Sequence, residues 1–173
     1  MMTTRRPAGQ LFFIIVAIIG VGISMYLTLV HYDHKDVPLV CSTGGFINCE
    51  NVLSSPYALV PGMGVPISVP GLLWCLVAAG LGLVGWLWRA GDRRVLVAEV
   101  VWSGLGVLTA LYLVYVELVR LHTLCAWCTA LHVLILTLLI TSIVQLQGAN
   151  GEEEWEDKES EEGTLPSMTP ERR

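Results

Sequence analysis

The segment that decides the fold is LFFIIVAIIGVGISMYLTLV, residues 11–30, which contains no charged residue. Three further apolar stretches of similar length follow it, at residues 69–88, 95–119 and 125–146. Only Glu99 and Glu117, both within 95–119, bring charge into these stretches. A helix of about 20 apolar residues crosses the bilayer core, where lipid offers the backbone no hydrogen-bond partner. The sequence therefore predicts an all-α integral membrane protein, a bundle of four transmembrane helices.

Charge is concentrated at the C-terminus. Residues 151–173 hold nine of the 15 carboxylates, whereas residues 1–150 hold six carboxylates against seven Lys and Arg. The net charge of −5 therefore describes the tail, which is polar enough to be predicted as disordered and is expected on the cytoplasmic side. Residues 1–150 carry no basic stripe with interleaved aromatic side chains, so we expect no nucleic-acid binding.

The distribution of Lys and Arg predicts the orientation of the bundle. Arg5 and Arg6 precede the first helix, and three more arginines lie between the second and third. The other connections carry only Lys35 and Arg120. Because Lys and Arg favour the cytoplasm, both termini are predicted to be cytoplasmic, with loop 31–68 outside. A cleaved signal peptide is the alternative for the first stretch, but its apolar run is longer than usual and no small-residue cleavage site follows.

Loop 31–68 contains a predicted short helix. Asn48 is a favourable N-cap for a helix from Cys49 to Ser55, and Pro56 should end it. Apolar residues on this helix would let it lie on the membrane surface as a lid. An irregular polar loop is the alternative.

The five cysteines divide into two pairs and a single residue. Cys75 lies alone within the second stretch and is predicted to be a small core residue. Cys125 and Cys128 form C-A-W-C at the start of the last helix, on one helical face and at a spacing that suits a disulfide. The positive end of the helix lowers the pKa of thiols placed there and increases their thiolate fraction.

The second pair, Cys41 and Cys49, lies on the loop at the same predicted membrane face. One pair would exchange with a soluble partner while the other remains near the bilayer, and electrons would pass between them by thiol–disulfide exchange. A quinone dissolved in the bilayer would reach Cys128 from within the bundle.

The pattern C-x7-C-x5-S, formed by Cys41, Cys49 and Ser55, is followed by C-x-x-C at the start of the last helix. This combination resembles the vitamin K epoxide reductase family, in its small bacterial form without a fused thioredoxin domain. The resemblance covers residues 11–146. It implies a four-helix bundle around a quinone pocket near the outer face, capped by the short helix after the second loop cysteine.

The resemblance also implies roles for the four cysteines. Cys41 would take electrons from a thioredoxin-fold dithiol protein, and Cys49 would pass them on by attacking Cys125. Cys128 would reduce a quinone of the ubiquinone or menaquinone type. The chain is thus expected to be a multi-pass enzyme of the bacterial cytoplasmic membrane, with its active site on the extracytoplasmic face, that sustains disulfide bond formation.

Three more residues are singled out. Ser55 matches the lid serine of the family, and His132 stands one turn after Cys128, where the animal enzymes carry tyrosine. His132 would hydrogen-bond a quinone oxygen or relay its proton; the alternative is a histidine bonded to a neighbouring helix. Glu117 is interpreted as an interfacial carboxylate, with a proton carrier as the alternative.

Three rival functions stay open on sequence alone. Four cysteines are able to bind a structural zinc, although their separation and an oxidising location argue against it. Two disulfides that merely staple loops would make the chain a non-enzymatic membrane protein. Within the resemblance, reduction of a quinone epoxide is the alternative to disulfide generation.

Overall fold

Four long helices and one short helix make up most of the chain. The computed structural model describes residues 5–33, 36–41, 44–87 and 92–164. Its helices are α1 (Arg5–Tyr32), α2 (Cys49–Leu53), α3 (Ser68–Leu87), α4 (Arg93–Tyr115) and α5 (Ala126–Thr164). A 3-10 turn, Pro56–Ala58, follows α2, and a π-helical turn, Val116–Leu121, continues α4. All helices except α2 contain a segment long and apolar enough to cross a membrane, so the predicted fold class is confirmed.

The four long helices form a closed ring. α1 lies between α3 and α5, and α4 packs against both α5 and α3. The interior is built from small side chains such as Ala17, Ala78 and Gly106, whereas many leucine, isoleucine and valine side chains face outward. This is the arrangement expected in lipid, where helices gain from close approach rather than from hiding apolar surface.

Two glycines show how closely the helices approach. A Cβ at Gly106 of α4 would overlap the indole of Trp74 on α3. A Cβ at Gly82 of α3 would lie 2.9 Å from side-chain atoms of both Phe13 and Ile14 on α1. A residue larger than glycine would therefore force these helices apart.

The described parts of loop 33–67 and turn 122–125 lie at the same end of the bundle, which we call the cysteine end. They are joined by backbone hydrogen bonds between Leu124 and residues 46–48. The opposite end holds the start of α1 and the start of α4.

The C-terminal segment differs from its prediction. α5 continues through residues 151–164, for which the sequence analysis predicted disorder. Glu and Lys are good helix formers, and extending an existing helix adds a hydrogen bond for each residue ordered, without a new nucleation step. For residues 165–173, which lie outside the described residues, disorder stays a prediction.

Candidate redox site

The structure brings all four predicted redox cysteines into one group, which we call the cysteine cluster. Cys49 and Cys125 are each 0% exposed and pack together, and Cys41 and Cys128 pack against them. Cys41 and Cys49 form a disulfide, with 6.1 Å between their Cα atoms, while Cys125 and Cys128 are thiols. One disulfide and one dithiol in a shared apolar environment are the two reactants of thiol–disulfide exchange.

Backbone pairing places Cys49 beside Cys125. Leu124 and Asn48 each immediately precede one of these cysteines. The N–H of Asn48 donates to the Leu124 carbonyl over 3.0 Å, and the N–H of Leu124 donates to the Phe46 carbonyl over 2.9 Å. This short parallel pairing therefore holds a residue of one redox pair against a residue of the other, although the two are far apart in sequence.

A second clamp holds the segment that contains Cys41. The indole of Trp127, the third residue of C-A-W-C, donates to the Val40 carbonyl over 2.8 Å. The Tyr26 hydroxyl accepts from the Val40 N–H over 2.9 Å, and its ring lies 5.1 Å from that of Trp127. Val40 immediately precedes Cys41, as Asn48 immediately precedes Cys49. Each loop cysteine is therefore positioned by backbone hydrogen bonds of the residue before it.

The short helix α2 carries Cys49 into the cluster. The side chain of Asn48 accepts from the N–H of Asn51 over 3.0 Å, which confirms the predicted N-cap. Val52, on the same helix, is buried against the cysteines. α2 ends at Leu53 rather than at Ser55, because the N–H of Ser55 bonds the Val52 carbonyl in a tighter turn and Pro56 has no N–H to extend the helix.

Two cavities meet at the cluster. The loop cavity, about 570 Å³, is lined by Cys41 together with polar residues that include Glu50 and Ser54. The apolar cavity, about 250 Å³, lies between the helices and is lined by Cys128, by Cys75 and by mostly apolar side chains. His31 and Leu53 line both cavities and so form part of the wall between them. The two cysteine pairs thus have access to two different environments.

Hydrogen bonds distinguish the two cysteines of C-A-W-C. The sulfur of Cys125 accepts from the backbone N–H of Cys128 over 3.3 Å. The Cys128 thiol also donates to this sulfur, and this bond lowers the pKa of Cys125 below that of an ordinary thiol. Such bonds stabilise the thiolate. These hydrogen bonds therefore favour the thiolate at Cys125 over the thiolate at Cys128.

A carboxylate, Glu117, lies against the same two cysteines. It is 3% exposed, and its Oε2 is 3.5 Å from the backbone nitrogen of Cys125. It also interacts with the Cys128 thiol. The interpretation of Glu117 as an interfacial carboxylate is therefore wrong: the side chain points into the bundle because the π-helical turn rotates it away from the lipid face.

The comparison with known families adds to this geometry. The vitamin K epoxide reductase family profile matches residues 11–143, a range that contains all four cysteines of the cluster. The chain belongs to the vitamin K epoxide reductase family. Like that family, it is a membrane thiol–disulfide oxidoreductase that works through cysteine pairs. A comparison with curated proteins gave no match.

The two remaining predicted residues of this oxidoreductase lie in different cavities. His132 lines the apolar cavity beside Cys128. Ser55 instead lines the loop cavity beside Cys41, and its hydroxyl donates to the Val52 carbonyl over 2.7 Å. A role for Ser55 in quinone binding stays a prediction that this position does not favour. While Cys41 and Cys49 share a disulfide, neither sulfur is a thiolate able to coordinate zinc.

Glu117 and Trp74 are the residues that the sequence analysis did not assign to the site. Trp74 lines the apolar cavity, and its indole N–H has no hydrogen-bond partner within the described ranges. A tryptophan in an apolar helix carries no signal of its own in the sequence. Glu117 did carry one, since an ionisable residue within a transmembrane helix is a functional candidate by default.

Proposed function

We propose that this reductase reoxidises an extracytoplasmic thioredoxin-fold dithiol protein and transfers the electrons to a membrane quinone. The observation that carries the proposal is the position of the cysteine cluster between the two cavities. Cys41 borders the loop cavity, which is the side a soluble protein reaches, and Cys128 borders the cavity between the helices, which is the side a lipid-soluble acceptor reaches. Electrons that enter at one cavity leave at the other.

The electron path follows from these contacts. A thiolate of the partner attacks Cys41, breaks the Cys41–Cys49 disulfide and, through its second thiol, leaves as a disulfide. Cys49, now a thiolate, attacks Cys125 of the oxidised Cys125–Cys128 pair, so that a Cys49–Cys125 disulfide forms and Cys128 leaves as a thiolate. The freed thiolate of Cys41 then attacks Cys49, which re-forms the Cys41–Cys49 disulfide and releases Cys125 in its reduced form. Oxidation of the Cys125–Cys128 dithiol then releases two electrons and two protons to the quinone, which becomes the hydroquinone.

The apolar cavity suits a quinone in its chemistry. A quinone ring presents an apolar body with two carbonyl acceptors, and its oxygens need hydrogen-bond donors in a site without water. The unpartnered indole N–H of Trp74 is such a donor, and His132 is a second polar group on the same wall. These two residues would hold the quinone oxygens, while the quinone supplies the two-electron acceptor.

We further propose that the cysteine end faces the outside of a bacterial cytoplasmic membrane, with both termini in the cytoplasm. The arginines at the start of α1 and α4 lie at the opposite end of the bundle and support this orientation. A membrane-impermeant thiol reagent applied to intact cells under reducing conditions should label Cys41. Labelling that appears only after the cells are lysed would show that the proposed orientation is inverted.

The decisive experiment mixes the purified protein in lipid nanodiscs with a reduced thioredoxin-fold protein and a soluble quinone analogue. The quinone absorbance should decrease in step with the loss of partner thiols, and each should require the other component. Partner oxidation that proceeds equally without quinone would contradict the proposal. Replacing the quinone with vitamin K epoxide in the same assay tests the alternative substrate.

A further inference from the structure

The carboxylate of Glu117 is buried, and it contacts both cysteines of C-A-W-C. We propose that Glu117 is the proton acceptor of the Cys125–Cys128 dithiol. The proposal deepens the proposed function, on which it relies only for the identity of the electron acceptor.

The backbone holds Glu117 at a defined position. Its carbonyl accepts from the N–H groups of His122 and Thr123, the latter over 3.2 Å. His122 adopts a left-handed conformation, with φ 53°, that turns the chain back towards Cys125. Such a conformation is uncommon for a residue other than glycine and persists only where the surroundings enforce it. The turn thus fixes the carboxylate against the start of α5.

The chemistry that the dithiol needs is the removal of a proton. The thiolate is the nucleophile in disulfide chemistry, so the free thiol of Cys128 has to lose its proton before it reacts. In the proposed step the Glu117 carboxylate takes the proton from the Cys128 sulfur, which leaves a carboxylic acid and a thiolate. The thiolates of Cys125 and Cys128 then form one S–S bond, and two electrons pass to the quinone. Its two protons are the one held by Glu117 and the one that Cys125 lost on becoming a thiolate. One of the two protons that the quinone oxygens then take up has passed through Glu117.

No other carboxylate within the described residues is placed to do this. Glu50 of α2 is exposed on the loop cavity, and Arg120 and His122 of the turn are also exposed. His132 of α5 lines the apolar cavity, and His31 of α1 lines both cavities. Of these groups in the described part of the chain, Glu117 is the one that is buried against the dithiol.

The test measures dithiol oxidation with and without a quinone. In a background that carries Cys41→Ser, Cys49→Ser and Cys75→Ser, only the C-A-W-C pair is oxidised. Rates are measured across a pH series with dithiodipyridine, a quinone-free disulfide oxidant, and with a soluble quinone analogue. The variants are Glu117→Gln and Glu117→Asp, and the matched control is Glu99→Gln, the same change on the same helix at the opposite end.

We expect Glu117→Gln to slow both oxidations by about a hundredfold, which is the lower range for loss of a general base. Glu117→Asp should recover part of the rate, and Glu99→Gln should match the parent. Thermal unfolding of each variant in detergent separates misfolding from loss of chemistry.

A purely electrostatic role of Glu117 predicts the opposite change in the oxidation rate. The charge of Glu117 raises the pKa of Cys125, so its removal lowers that pKa further. More Cys125 thiolate would then be present at low pH, and Glu117→Gln would react faster there. That result, or equal rates in a folded Glu117→Gln protein, overturns the proposal. A different result is that the parent protein is not oxidised by the quinone analogue, while Glu117→Gln still slows oxidation by dithiodipyridine. In that case the quinone assignment fails and Glu117 keeps its role.

Discussion

α4 and the π-helical turn that continues it bury two carboxylates at opposite ends of the bundle, Glu99 at 0% and Glu117 at 3% exposed. Glu99 faces an amide: the side chain of Gln10 on α1 donates to its Oε2 over 3.4 Å. Glu117 faces two thiols. The residue type, the helix and the burial are the same, so none of these identifies a reactive group. What differs is the partner: a side-chain amide neither ionises nor changes its oxidation state under these conditions, whereas a thiol does both.

The same contrast separates the two halves of the molecule. At the cysteine end, polar side chains bond the backbone of loops, as Trp127 bonds Val40, and they border cavities. At the opposite end, glycines let helices close onto polar side chains: a Cβ at Gly85 would lie 2.9 Å from the amide nitrogen of Gln10. We therefore expect substitutions at the cysteine end to reduce activity and substitutions at the opposite end to reduce stability.

The largest expected effect is that of Cys128→Ala. Without the thiol that borders the apolar cavity, electrons cannot leave the cluster, and quinone reduction by the reduced partner should fall to the uncatalysed rate. The melting temperature should change little, because a half-buried thiol is replaced by a slightly smaller apolar group. The absorbance of the quinone measures the rate of its reduction. Full turnover by a folded Cys128→Ala protein would remove Cys128 from the electron path.

Cys41→Ala should have an equally large but selective effect. The partner protein loses the sulfur that it attacks, so its oxidation should stop. A small dithiol such as dithiothreitol enters spaces that exclude a protein, so it should still reduce the C-A-W-C pair at Cys128, which borders the apolar cavity, and drive quinone reduction. The two substrates are compared on the same preparation. Loss of turnover with dithiothreitol as well would show that Cys41 does more than receive electrons from the partner.

Glu99→Ala should affect stability and leave the rate per folded molecule unchanged. The amide of Gln10 would lose its acceptor in the bundle interior, which costs about 1–2 kcal/mol. Thermal unfolding in detergent measures the change. Glu99→Gln is the control, because its side-chain oxygen still accepts from Gln10. A loss of turnover in folded Glu99→Ala would abolish the distinction between the two carboxylates.

Asn48→Ala should have the smallest effect, confined to α2. Removing the cap that accepts from the Asn51 N–H costs about 1 kcal/mol, and this free energy corresponds to a roughly fivefold rise in local opening. Amide exchange of α2 should accelerate by that factor, while amides of α3 and α5 keep their rates. The matched control is Glu50→Gln, a substitution of an exposed residue on the same helix. Faster exchange throughout the protein would mean that α2 stabilises the whole bundle.

Much of the site could be predicted from the sequence, but not its contacts. The four cysteines were found from their spacing, and the cap of α2 from Asn48 and Pro56. Ser55 was assigned to the quinone by its match to a family position, yet its hydroxyl turns back to the Val52 carbonyl on the loop side. Glu117 was taken as interfacial because its position near a helix end suggested exposure, and the π-helical turn that buries it has no sequence signature.

The sequence by itself determined the four membrane-crossing helices and the end at which the cysteines lie. Transfer into lipid is a sum over local residues, so apolar length alone is decisive, and the number of crossings then places both connections at one end. Only the tertiary structure decided that Leu124 pairs with residues 46–48, that the four sulfurs form one cluster between two cavities, and which carboxylate meets thiols. These features depend on contacts between residues that are far apart in sequence, and such contacts cannot be predicted from a local sequence pattern.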